Sequence, residues 1–134
     1  MQVSKFQEST GYTPEKIISL LGYDATAWYR WTNGRGTPSA ATQRLMDVIA
    51  WAKRINMDAV MLATLPDVPD LKWWRESHRW TQEYVAVTVL CVRKITWAQW
   101  EYNLRNVHPA VLRLVQCIEW LHRAKLLDLF LKSG

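Results

Sequence analysis

The chain has 134 residues and a formal charge of +5 at neutral pH, with 49% hydrophobic and 22% charged residues. That balance is globular: too apolar for a disordered chain, and with five Gly and five Pro too poor in both for a fibre. Its longest apolar run, Val85 to Val92, falls far below the roughly 18 residues of a bilayer span, and no apolar segment follows Met1–Lys5 to make a signal peptide. The expectation is one soluble, cytoplasmic protein of one medium domain or two very small ones.

Turn signals at Gly11, Gly22, Asn33–Pro38, Pro66–Pro69 and His108-Pro109 cut the chain into short helical pieces. Thr13-Pro14-Glu15 reads as a helix start, with Thr as N-cap, Pro at the first helical position and an acid in the first turn. That helix is expected over Pro14–Leu21. Asp24 caps a second over Ala25–Thr32, and Asn56-Met57-Asp58 opens another. Tyr84–Val92 is β-branched and alternating, a strand by propensity, though a lone strand here has nothing to pair with. Cys91 and Cys117 lie in apolar stretches and are expected as reduced core residues.

Nine tryptophans expose an internal repeat. Trp28, Trp31 and Trp51 are spaced by 3 and 20, and so are Trp97, Trp100 and Trp120. An offset of 69 gives eight identities over 27 ungapped positions, among them Ala41/Ala110, Arg44/Arg113 and Ile49/Ile118. Upstream the offset is 68, pairing Thr13 with Thr81, Glu15 with Glu83 and Phe6 with Trp74. One extra residue between Leu21 and Trp97 reconciles the two. The repeat divides the chain into units 1–66 and 67–134 about the Pro66–Pro69 linker, and argues for helix at 84–92. All six repeated tryptophans are expected in the core, leaving Trp73 and Trp80 as candidates for an exposed sticky surface.

Residues 13–38 read T-P-E-K-I-I-S-L-L-G-Y-D-A-T-A-W-Y-R-W-T-N-G-R-G-T-P, a helix-turn-helix pattern. Gly22 supplies the tight turn and Asp24 the cap. Trp28 and Trp31 face inward, and Ala25, Thr26, Tyr29 and Arg30 face outward. This stretch resembles the phage repressor and Cro-like (XRE-type) helix-turn-helix family. Thr13, Glu15, Gly22, Trp31, Gly34 and Pro38 carry the likeness in order and spacing. The second unit resembles the family more loosely, through Thr81-Gln82-Glu83 and Trp100-Glu101, and lacks the turn glycine.

The resemblance implies an all-α fold of two tandem five-helix, lambda-repressor-like helix-turn-helix units. It implies sequence-specific binding of double-stranded DNA, as in a small transcriptional regulator. Ala25, Thr26, Tyr29 and Arg30 fall on base-facing positions, and Thr13, Asn33, Arg35 and Thr37 near the DNA backbone. In the second unit Arg93, Lys94, Gln99, Asn103 and Arg105 suit DNA or a solvated face equally. A homodimer is one expected assembly.

Neither an enzyme nor a cofactor is expected. His78, His108 and His122 are far apart in sequence, no Cys–His spacing fits zinc, and Gly34-Arg35-Gly36 lacks the Lys-Ser/Thr end of a phosphate loop. The alternative is a small protein-interaction adaptor using the same scaffold without DNA.

Overall fold

Local capping sets several of the helix starts. Thr13 Oγ1 accepts from the Lys16 amide, Asp24 from Ala27, Ser39 from Thr42 and Asp70 from Trp73, each satisfying an amide that has no partner within its helix. The computed structural model describes residues 1–103 and 106–133, and there the chain is all-helical. The elements are α1 (Val3–Thr10), α2 (Pro14–Leu21), α3 (Ala25–Thr32), α4 (Ala40–Arg54), α5 (Asp58–Ala63), α6 (Leu71–Ser77), a π-helical segment (Tyr84–Val89), α7 (Lys94–Glu101), α8 (Pro109–Arg123) and α9 (Leu127–Lys132).

The bounds of these elements recur. α3, α4 and α5 have counterparts of equal length in α7, α8 and α9, each displaced by 69 positions. The left-handed residues recur as well. Gly11, Gly22, Gly34 and Asn56 have φ of +71°, +70°, +74° and +59°, and Arg79, Cys91, Asn103 and Lys125 stand at the matching places with φ of +58°, +55°, +56° and +61°. Each bends the chain out of a helix, where glycine meets no Cβ penalty and the others do.

The extra residue of the second half sits in the π-helical segment. There the Leu90 amide donates to the Val85 carbonyl, one residue wider than an α-helical bond. The widened turn swallows the insertion, so Leu90 returns to the buried position that Leu21 holds in the first half. This also decides the strand-like stretch 84–92 in favour of helix.

α4 and α8 form the spine. They make the most extensive contact of any two elements, with Leu45, Ile49, Leu114 and Ile118 fully buried. Burying such a side chain contributes about 1.5–3 kcal/mol. Five of the six repeated tryptophans are in the core as expected, but Trp120 is half-buried, its indole N–H donating to Thr64 Oγ1 at 2.9 Å. Cys117 is fully buried and its thiol is pushed up to about 12 by burial. Cys91 is exposed, against the core expectation, because it occupies the left-handed turn and points away from the apolar side.

Candidate nucleic-acid interface

The amphipathic pattern of α2 and α3 dictates their pairing. Ile17 and Leu21 are buried on α2, and Ala27, Trp28 and Trp31 on α3. The two helices pack together across Gly22, whose +70° φ makes the turn. Tyr23 locks that turn by stacking on His108 at 4.2 Å between ring centroids, and its hydroxyl is 3.0 Å from Thr42 Oγ1. A Cβ on Gly22 would come within 3.1 Å of Pro109 Cβ, so the turn is also pressed against the start of α8.

With the inner face so committed, the other face of α3 is open. Ala25, Thr26, Tyr29 and Arg30 are all exposed, Tyr29 by 62%. Asn33, Arg35 and Thr37 are exposed in the loop that follows. This loop folds back on the helix: the Arg35 amide donates to the Arg30 carbonyl at 2.8 Å, and Arg30 Nε lies 3.9 Å from where a Cβ on Gly36 would stand. Thr13 is exposed at the α2 N-terminus. The surface thus offers a guanidinium, a phenol and a hydroxyl on one helix face, with a second guanidinium on the adjoining loop.

At the matching place in the second half, Arg93 and Lys94 are exposed at the start of α7 and Asn103 at its end. Gln99 is half-buried rather than fully outward. Ile95 and Tyr102 project instead, 52% and 62% exposed. Sliding Thr26 and Asn33 forward by 69 positions lands on these two residues, a signal available in the repeat. Arg105 lies outside the described residues.

Two buried carboxylates hold this half together. Glu101, at the end of α7, pairs with Arg75 of α6 through Nε at 2.7 Å and Nη2 at 3.0 Å, and also accepts from the Trp97 indole. Burial pushes its carboxyl up, but the Arg75 and Trp97 hydrogen bonds outweigh that and hold it below the usual range. Glu119 of α8 accepts from Trp74 Nε1 at 2.9 Å and Arg123 Nε at 2.7 Å, and lies 2.8 Å from His78 Nε2. Its carboxyl too stays low despite burial, because these three partners favour the charge.

Distance in sequence proved a poor guide to the histidines. His78 and His122 meet edge to face at 4.4 Å between ring centroids, and line a recess together with Glu119 and Arg123. Still, among the described residues no three His, Cys, Asp or Glu are grouped to hold a metal ion. Among the same residues no helix is long and apolar enough to cross a membrane. Trp73 is 64% exposed, whereas Trp80 is half-buried, stacked on His78 at 4.2 Å between ring centroids. No family model, curated protein or solved structure matches the chain.

Proposed function

We propose that the chain is a sequence-specific binder of double-stranded DNA, a small transcriptional regulator of phage, plasmid or bacterial type. It is built as two tandem five-helix, lambda-repressor-like helix-turn-helix units, residues 1–66 and 67–134. The observation that carries this reading is the open outer face of α3, set on a capped, glycine-turned pair of helices and flanked by the exposed Asn33–Thr37 loop. The recurring helix bounds and left-handed residues support the two-unit architecture, as does the resemblance to the XRE-type family.

In this reading α3 enters the major groove. Ala25 is small and lets the backbone approach the groove floor. Arg30 presents its fork to guanine O6 and N7, and Thr26 and Tyr29 meet neighbouring base edges. Thr13, Asn33, Arg35 and Thr37 hold phosphates, which set register but carry no sequence information. No catalysis, cofactor or small-molecule ligand enters the mechanism.

Selection from a random duplex library, followed by a salt titration, tests it. Affinity falls steeply with salt as phosphate counterions are released. Arg30→Ala costs about 1–3 kcal/mol and relaxes preference at one base pair, whereas Arg35→Ala weakens all duplexes alike and lowers the salt slope by about 1. If no duplex binds at low salt, the DNA reading is wrong. A second reading, a protein-interaction adaptor without DNA binding, draws on the exposed apolar side chains Trp73, Val87, Ile95 and Tyr102, and it is favoured by that negative result.

A further inference from the structure

We infer that a single chain reads two unlike half-sites, with α7 as a second recognition helix beside α3; this rests on the DNA-binding reading of α3. Tyr23 of the first half stacks on His108 of the second, and their counterparts at an offset of 69, Val92 and Ser39, line one shared groove of about 350 Å³ together with Tyr23 and His108. At the far end of the spine Trp51 packs on Phe130 of α9 at 5.6 Å, while its counterpart Trp120 reaches Thr64 at the end of α5. The same elements thus meet in both senses, α4 with α9 and α8 with the end of α5, and such reciprocity between elements is the mark of a two-fold relation.

The ends of that internal axis differ. One end carries the groove and the turns that lead into α3 and α7. The other carries Trp51 and Trp120. Both helices therefore stand on the same side of the molecule, as in a symmetric dimer of helix-turn-helix domains whose two recognition helices share one face of the duplex.

The chemistry of α7 suits DNA but not the half-site of α3. Arg93 and Lys94 are exposed, and among the described residues neither has a carboxylate within 4.0 Å. The one acid on α7, Glu101, is turned inward onto Arg75 with its side chain 1% exposed, so the outer face is left cationic. Gln99 fits the paired N6 and N7 of adenine, and Ile95 fits the methyl of thymine. At the same places α3 has Arg30, which fits guanine, and Thr26.

Random-duplex selection on the full chain tests this. The expected site is not a palindrome. It holds two different blocks centred about one helical turn apart, and native mass spectrometry finds one chain per duplex. Arg30→Ala degrades one block only. Lys94→Ala and Gln99→Ala degrade only the other, each weakening binding by about tenfold. Circular dichroism confirms that each variant is folded. A single selected block, a palindrome occupied by two chains, or wild-type binding and preference in folded Lys94 and Gln99 variants overturns the inference while leaving α3 as a reader. Absence of any duplex binding overturns both readings.

Discussion

The two halves place buried polarity at different points of one backbone frame. In the first half the buried positions Phe6 and Ala50 are apolar, and the polar pair lies elsewhere, with the Tyr12 hydroxyl donating to Asp58. In the second half the matching positions are Trp74 and Glu119, joined by a hydrogen bond, while Trp80 and Leu127 replace Tyr12 and Asp58. Thr10, which returns its hydroxyl to the Phe6 carbonyl, becomes His78 beside Glu119. A helical frame accepts such exchanges as long as each buried polar atom finds a partner. Among the described residues no buried side-chain polar atom is left without one. The cost is that the second half depends on a few charged contacts for its geometry.

The largest expected effect probes that dependence. Glu101→Ala leaves the Arg75 guanidinium, 14% exposed, without its carboxylate, and is expected to cost about 3 kcal/mol, read as a drop in melting temperature. Its counterpart in the first half, Thr32, is exposed, and its hydroxyl donates to the nearby Tyr29 carbonyl. Thr32→Ala is therefore expected to change stability by less than about 0.5 kcal/mol. Equal losses in the two variants would abolish the contrast between the two halves.

The turns give the next contrast. Gly22→Ala puts a Cβ at φ +70° and 3.1 Å from Pro109 Cβ, and is expected to cost about 2 kcal/mol. Cys91 already has a side chain at φ +55°. Cys91→Gly is thus expected to stabilise by up to about 1 kcal/mol by releasing that strain. Chemical denaturation measures both, and a destabilised Cys91→Gly variant would show that its side chain packs after all.

Acid titration sharpens the comparison further. The Glu101 and Glu119 carboxyls are both held low in the folded state, so folding favours their charged forms. That stability is fully present above the ordinary unfolded carboxylate value of about 4.3 and is lost as pH falls through the folded values. In the first half Asp58 is similarly held low: burial pushes it up, and the Tyr12 hydrogen bond and the Lys53 charge more than offset this. Amide exchange at falling pH is expected to show residues 67–133 losing protection before 1–66. The reverse order would place the weaker half wrongly.

The smallest effect is chemical. A thiol alkylating reagent is expected to label exposed Cys91 in the native chain and to spare Cys117, whose thiol is buried and pushed up to about 12. Native labelling of Cys117, detected by peptide mass mapping, would contradict its burial on α8.

Much of the fold was legible beforehand. Thr13 and Asp24 announce helix starts because a short polar side chain before an apolar stripe has one good use, to satisfy the first free amides. The spans of α2 and α3 fell where these caps and Gly22 put them. The tryptophan spacing revealed the repeat because large core residues are the slowest to be replaced without leaving a cavity. The outward set Ala25, Thr26, Tyr29 and Arg30 followed from helical periodicity alone.

The rest needed the packed chain. A one-residue insertion does not say where it is absorbed; only the hydrogen bonds of 84–92 place it in a widened turn. Cys91 sits in an apolar stretch, and it took the left-handed turn to bring it to the surface. Partners 41 or 45 positions apart, such as His78 or Trp74 with Glu119, meet only once α6 lies against α8. Local sequence thus determined where helices begin, end and show their faces, since those depend on neighbours within a turn or two. The distribution of buried charge, and which faces remain open, was decided by long-range packing, because desolvation and pairing depend on what each side chain meets across the core.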